Sequence, residues 1–330
     1  MADRADGERT VKPSGGEECA VVLNAGAGSL LGESDAESTL EELFARHGLR
    51  PRIRICEAGT GIDEFVSEAL ADGISTIIAG GGDGTVSSVA ARLVDTGASL
   101  GVLPLGTLNH FAKDLGIPLD RDEAVAAIAG GRTVRVDVGE VNGTIFINNS
   151  SLGLYPLTVS LREKEQERGT GKWLALAKAL LDVLGRYPLL KVHMTLDGRE
   201  IIRRTPIVFI GNNHYELEGF AMTRRSRLDE GVLSVAVTRN VGRLGLLGLL
   251  LRALVGRLRD AEDFSVLEGR ELWIETRRNR LLVATDGEQQ HMETPLRYCL
   301  HGTSLSVIVP RLATDEASVN EEQTVEVSKT

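Results

Sequence analysis

Residues 74–85 read ISTIIAGGGDGT, an apolar β-branched run that breaks into three glycines, an aspartate and a fourth glycine. An apolar run of this length closed by glycine reads as a strand buried on both faces, and helical spacing follows from Thr85 to about Asp95. Strand, glycine turn and helix in immediate succession form the repeating unit of a parallel sheet covered by helices. The unit recurs along residues 19–134. CAVVLN (19–24) is a strand with a glycine-rich loop behind it, and 35–47 is a helix with Leu40, Leu43 and Phe44 on one face. PRIRICE (51–57) is a strand, and 62–72 is a helix with Ile62, Phe65, Val66, Ala69 and Leu70 apolar. LGVLPLG (100–106) is a further strand, with helices near 108–115 and 121–129. The expectation is a doubly wound, mostly parallel α/β domain over 19–134.

Beyond residue 134 the pattern changes. RVDVGEV and TIFINN flank Asn142-Gly143, and KVHMTL leads into Asp197-Gly198, both two-residue hairpin signals. Strand-like runs follow at 205–211, 231–238, 264–269, 271–276, 280–285 and 303–310. This half, 135–312, is expected to be a mainly β sandwich whose last segment packs back on the first domain. Two helical stretches interrupt it, at 171–188 and 241–260, the second apolar on nearly every face. Residues 1–18 and 313–330 are polar, without periodicity, and expected to be disordered tails.

Charge and cysteine content narrow the classes of function. The chain of 330 residues has a formal net charge of −10, which argues against a dedicated nucleic-acid binder. Cys19, Cys56 and Cys299 lie far apart with no CxxC pair, so neither a zinc site nor a disulfide framework is indicated, and a reduced, cytoplasmic setting is expected. The polar N-terminus lacks the apolar core of a signal peptide, and there is no uninterrupted apolar run of about 18 residues that would span a membrane.

The chemistry concentrates at strand ends. In the 80–85 run, glycines let backbone approach a phosphate and permit positive φ, and the following helix offers free N–H groups and a positive dipole end. Asp83 repels a phosphate unaided, so it is expected to hold a magnesium ion through water. The alternative is an ordinary strand-to-helix turn. Asn24–Gly28 and Gly106–Asn109 are two further strand-end clusters; each alone is equally an ordinary turn, and Thr107 is as much a helix-cap candidate as a ligand.

Taken in order, NAGAG, GGGDGTV and PLGTLNHFAKDLGIP resemble the nucleotide-binding half of the diacylglycerol kinase catalytic-domain family, within its soluble bacterial lipid kinase branch. INNSSLGLY, GNNHYELEGF, RLDEGVLSV and ATDGEQQ extend the resemblance to residues 19–310. It implies an NAD kinase-like N-terminal domain, a C-terminal β sandwich, and ATP in a cleft between them. Carried over by position, Asn24 and Gly28 fall in the first ATP loop, Gly81, Gly82, Asp83, Gly84 and Thr85 in the phosphate loop, and Thr107 in the Gly-Thr cluster. The resemblance places the catalytic base in Asp286-Gly287-Glu288, Asp286 favoured over Glu288. It places a structural magnesium at Arg227, Glu230 and Val232, partly through carbonyl oxygens. Ser87, Leu108 and His110 depart from the family's usual residues, and Glu57 stands near a position that often carries Thr.

The resemblance thus implies an ATP- and magnesium-dependent kinase of a lipid hydroxyl, with diacylglycerol giving phosphatidate. The alternatives are a kinase of a soluble acceptor such as NAD, and a nucleotide- or lipid-binding regulator without turnover. A lipid acceptor implies peripheral membrane contact, for which the 241–260 helix and the arginines at 224, 225, 227, 277, 278 and 280 are candidates, with packing on the sandwich and simple solvation as the alternatives. Nothing in the sequence speaks to oligomeric state.

Overall fold

The computed structural model describes residues 17–26, 36–57, 60–153, 190–218, 221–238 and 264–311. Gly28, the 171–188 and 241–260 stretches, residues 1–16 and the 313–330 tail lie outside the described residues. The chain divides into two compact units, one formed by residues up to Val134 together with those from Leu305, the other by Arg135–Ser304.

The first unit is α/β. Its elements run β1 (Glu17–Asn24), α1 (Ala36–Arg46), β2 (Leu49–Cys56), α2 (Ile62–Ala71), β3 (Thr76–Gly81), α3 (Asp83–Leu93), β4 (Ser99–Pro104), α4 (His110–Asp114) and α5 (Arg121–Gly130). β1 pairs in parallel with both β2 and β3, β3 with β4, and β4 with the end of the last strand of the chain through Ser306 and Val307. α1 packs with α5 and α2 with α3, so helices cover the sheet. β1 and β3 are buried along almost their whole length, as a sheet covered on both faces requires. Leu40, Leu43 and Phe44 of α1 and Ile62, Phe65, Val66 and Ala69 of α2 are buried, as their helical spacing predicts. β1 begins at Glu17, which pairs with Leu49, so Glu17 and Glu18 belong to the sheet and not to a disordered tail. Their outward position on a paired strand is compatible with charge, which the absence of apolar periodicity concealed.

The second unit is built of strands. They are β5 (Arg132–Val141, which starts at the unit boundary), β6 (Thr144–Phe146), β7 (Asn149–Gly153), β8 (Leu190–Leu196), β9 (Arg199–Thr205), β10 (Ile207–Asn212), β11 (Glu216–Glu218), β12 (Ala221–Arg224), β13 (Leu233–Thr238), β14 (Phe264–Gly269), β15 (Glu271–Glu275), β16 (Arg280–Thr285), β17 (Glu288–Glu293) and β18 (Leu296–Val309). β14-β13-β10-β7-β16-β17 form one antiparallel sheet. In the other, β6 pairs β5, β5 pairs β18, β18 pairs β15, and β8 and β9 follow. Val192, Met194, Leu272, Ile274 and Tyr298 from this sheet meet Val208, Ile210, Val235 and Val283 from the first in a common core. This is an antiparallel β sandwich. Three of its hairpins turn on two residues at positive φ, at Asn142-Gly143, Asp197-Gly198 and Asp286-Gly287, which matches the right-handed twist of the paired strands.

Candidate functional site

In the first unit, Asn24 ends β1, Gly81 ends β3 and Pro104 ends β4, so the glycine clusters stand together at the carboxyl edge of the sheet. From β1 the chain moves to β2 on one side, while β3 lies on the other. The carboxyl ends of β1 and β3 therefore border the switch point where open α/β sheets bind ligands.

The glycines act there differently from the sequence expectation. Gly80 and Gly81 are buried strand residues, and α3 starts at Asp83, two residues before Thr85. None of Gly80, Gly81, Gly82 and Gly84 is among the residues at positive φ. What they provide is the absence of Cβ. A Cβ on Gly80 meets the Leu23 side chain, and one on Gly81 meets Thr85. One on Gly106 meets the Gly82 backbone and the Asn109 amide oxygen. Gly82 and Gly106 thus press two loops together backbone to backbone.

Gly82 is also the N-cap of α3 and brings no side chain to cap it, whereas Asp120 caps α5 by accepting from the Asp122 and Glu123 N–H groups at 2.9 and 3.1 Å. A helix leaves its first N–H groups without intrahelical partners, so the first turn of α3 presents uncapped donors at the switch point. Thr85 is buried below that turn, and its hydroxyl accepts from the Asn24 side-chain amide at 3.2 Å. The other end of the Asn24 amide accepts from the Gly26 N–H at 2.9 Å, which folds the first loop over the end of β1.

Asp83 points at the neighbouring loop. Its two carboxylate oxygens accept the backbone N–H groups of His110 and Phe111, each at 3.2 Å, and so cap α4 from outside. Each oxygen keeps lone-pair capacity for a cation. Thr107 is exposed and is not the cap of α4; that position belongs to Asn109, at φ 50°, whose side chain closes a two-bond ring with the Gly106 peptide at 3.1 and 2.8 Å. Gly106 and Asn109, the ends of the third strand-end cluster in the sequence, are structural members of this site.

In the second unit, Asp286 and Glu288 separate in role. Asp286 sits in the β16–β17 turn at φ 49° and accepts three backbone N–H groups, from Ile147 and Asn148 at 2.8 Å and Asn149 at 3.0 Å. Its own N–H donates to the Asn149 carbonyl at 2.9 Å. The β16–β17 turn therefore engages one carboxylate of the Asp-Gly-Glu motif, that of Asp286, which the sequence reading favoured as base. Glu288 opens β17 opposite Thr285; its side chain is exposed and makes no hydrogen bond with the described residues. The same 147–148 segment is held from its other edge by Arg225, which donates to the Ile147 carbonyl at 2.7 Å, the Asn212 carbonyl at 3.1 Å and the Asn148 side chain at 2.7 Å. Arg225 is 1% exposed, which overturns the expectation that it meets lipid; a guanidinium needs several acceptors when buried, and here carbonyls supply them. Arg277, Arg278 and Arg280 are exposed, and Arg227 is exposed and paired with Asp229 at 3.0 Å.

Arg227, Glu230 and Val232 lie on one loop. The Glu230 carboxylate contacts His214 Nδ1 at 2.6 Å and accepts the His214 N–H at 3.1 Å, while the Val232 carbonyl accepts the Asn213 N–H at 2.9 Å. His214 reaches Glu268 with its other nitrogen at 2.9 Å. Burial alone pushes the His214 pKa down, but the hydrogen bonds and charges of Glu268 and Glu230 leave it raised overall. Oxygen donors of the type that magnesium takes are present, and both Glu230 contacts to His214 use one carboxylate oxygen, Oε2.

Residues 18–141 match the diacylglycerol kinase catalytic domain, and residues 162–309 match the YegS C-terminal NAD kinase beta sandwich-like domain. Residues 18–141 thus carry a diacylglycerol kinase catalytic domain, followed by a sandwich domain of the YegS type. It is 28% identical over 259 residues to "Probable lipid kinase YegS" of Escherichia fergusonii, covering 74% of this chain and 83% of that one. It is 37% identical over 196 residues to "Probable lipid kinase YegS-like" of Pseudomonas aeruginosa, covering 56% and 62%. Among solved structures, a diacylglycerol kinase from Bacillus anthracis str. Sterne has the same fold, with a TM-score of 0.64 at 23% identity over 89% of this chain and 97% of that one. The α/β unit and the sandwich both meet the sequence expectation.

Proposed function

We propose that the chain is an ATP-dependent kinase that transfers the γ-phosphate to a lipid hydroxyl, with diacylglycerol as acceptor and phosphatidate as product. The observation that carries the reading is the uncapped first turn of α3 behind Gly82, at the switch point of a domain of the diacylglycerol kinase catalytic type. Its N–H groups suit the phosphates of a nucleotide, and the missing Cβ atoms let those phosphates lie close to the backbone. Asn24, Thr85 and Asp83 hold this cradle in shape, and Thr107 borders it. A magnesium ion accompanying the nucleotide would neutralise charge on the transferring group, and the lone pairs left on Asp83 suit it. Arg227, Glu230 and Val232 would serve a second, structural ion through carbonyl oxygens and the Glu230 oxygen not bonded to His214.

Glu288 is the general base of this reading. Its carboxylate takes the acceptor's hydroxyl proton as the hydroxyl oxygen bonds to the γ-phosphorus and the bridging oxygen leaves with ADP. Asp286 is a positioning residue that ties the β16–β17 turn to the 147–149 segment. A lipid acceptor places the enzyme in the cytoplasm against the membrane's inner face, and exposed Arg277, Arg278 and Arg280 suit an anionic surface. Among the described residues no helix is long and apolar enough to cross a membrane.

The test is transfer of labelled phosphate from ATP, with magnesium, to a panel of lipids in mixed micelles and, separately, to NAD. A labelled diacylglycerol band that disappears in Glu288→Gln supports the reading. Label on another lipid reassigns the acceptor, label on NAD replaces the lipid reading, and ATP binding without transfer makes the chain a regulator.

A further inference from the structure

Cys299 and His301 are two residues apart on β18, so their side chains leave the same face of the sheet. β5 pairs with β18 and brings Glu140 to that face. The Cys299 sulfur, a ring nitrogen of His301 and a carboxylate oxygen of Glu140 all lie within 4.8 Å of one another, each residue half-buried. His301 Nε2 is 2.8 Å from Glu140 Oε2, and the second Glu140 oxygen accepts the Gly143 N–H at 3.0 Å. The turn that carries Gly143 is itself anchored, because Asn142 accepts the Arg297 N–H at 2.8 Å and donates its own N–H to the Arg297 carbonyl at 3.0 Å. The three groups thus stand on paired strands and a pinned turn, the rigid support that a built site needs.

We infer that Glu140, Cys299 and His301 form a binding site for a thiophilic divalent cation of the zinc class. Sulfur, imidazole and carboxylate together are the donors that zinc takes, whereas magnesium and calcium take oxygen alone. Zinc–ligand bonds of about 2.0–2.3 Å put tetrahedral donors roughly 3.3–3.8 Å apart, so small side-chain rotations suffice to close the set. Three protein ligands leave the fourth position to water, and the partial exposure of His301 and Glu140 gives that water access. In the metal-free protein, burial and then the Glu140 charge push the Cys299 thiol up, so cation binding sends the thiol proton to solvent and replaces it. Magnesium, which takes oxygen donors, does not compete for the sulfur of this set.

Cobalt(II) is the probe, because a cobalt–thiolate bond carries a near-ultraviolet charge-transfer band that oxygen-only sites lack. The full chain, freed of metal by a chelator, is titrated with Co²⁺ and then with Zn²⁺. The expected result is a charge-transfer band saturating at one equivalent, bleached by Zn²⁺, lost in Cys299→Ser and weakened at least tenfold in affinity in His301→Ala. No band in the wild type, or a band that survives Cys299→Ser, overturns the inference. A second readout stands if a variant folds poorly: saturating Zn²⁺ protects wild-type Cys299 from alkylation by iodoacetamide, followed by peptide mass, and equal labelling with and without Zn²⁺ overturns it.

Discussion

Asn24 donates its side-chain amide to the Thr85 hydroxyl across 61 residues of sequence, joining the end of β1 to the first turn of α3. Thr85→Val keeps the shape and removes the acceptor. The expected cost is about 1 kcal/mol in denaturant unfolding, with a several-fold loss of ATP affinity by calorimetry. Unchanged ATP affinity would show that this tie does not shape the nucleotide cradle.

Gly82 and Gly106 face each other with different tolerances. A Cβ on Gly106 collides with Gly82 backbone, which cannot step aside, while one on Gly82 finds the Gly106 Cα at 3.5 Å, an ordinary contact, and its φ of −86° suits alanine. Gly106→Ala is expected to destabilise the fold by about 1–3 kcal/mol. Gly82→Ala is expected to leave the melting temperature nearly unchanged while ATP binding weakens at least tenfold, because its methyl group enters the space a phosphate needs. Equal ATP affinity in Gly82→Ala and wild type would remove the phosphate role from this loop.

Asp286 and Glu288 should respond to substitution in opposite ways. Asp286→Ala strands three backbone N–H groups, at about 1–3 kcal/mol each, and is expected to lower the melting temperature sharply. Glu288→Gln is expected to melt with the wild type and to lose about 10²–10⁴ in kcat. A Glu288→Gln enzyme with wild-type kcat would exclude this carboxylate as the base.

Arg225 cannot be exchanged for lysine. A single ammonium does not reproduce the fork that spans the Ile147 and Asn212 carbonyls and the Asn148 side chain. Arg225→Lys is expected to cost about 2 kcal/mol or more and to speed amide hydrogen exchange at Ile147, Asn148 and Asn149. Protection equal to wild type would show that Asp286 alone holds the segment.

Cys19 supplies a pH test. Burial, then the charges of Glu17 and Glu18, push its thiol from 9.0 up to about 12. The folded state therefore favours the protonated form. That contribution to stability is fully present below pH 9 and is lost as the pH rises from 9 through about 12. The alkaline side of the unfolding profile is expected to flatten in Cys19→Ala over that window. At pH 8, iodoacetamide is expected to label the half-buried Cys299 well before Cys19; comparable rates would mean the first strand opens readily.

Local pattern alone determined the strand-and-helix order of the α/β unit and two of the three two-residue hairpins. Periodic burial and positive-φ turns are properties of neighbouring residues, so Leu40, Leu43 and Phe44 or Asn142-Gly143 declare themselves without the rest of the chain. The order of glycine and Asp-Gly-Glu motifs also marked the segments proposed to carry the chemistry. Tertiary structure decided what each residue in those motifs does. The difference between Asp286 and Glu288 comes from three N–H groups some 140 positions away, and the capping role of Asp83 from a helix 27 positions on. Burial of Arg225 likewise depends on carbonyls from β10 and the 147–148 segment. Glu140 lies about 160 residues from Cys299 and His301, and the three match no metal-binding spacing, which is why cysteine spacing indicated no zinc site. Hydrogen bonds and metal bonds depend on distance in space, and only the pairing of β5 with β18 turns that sequence separation into 4.8 Å.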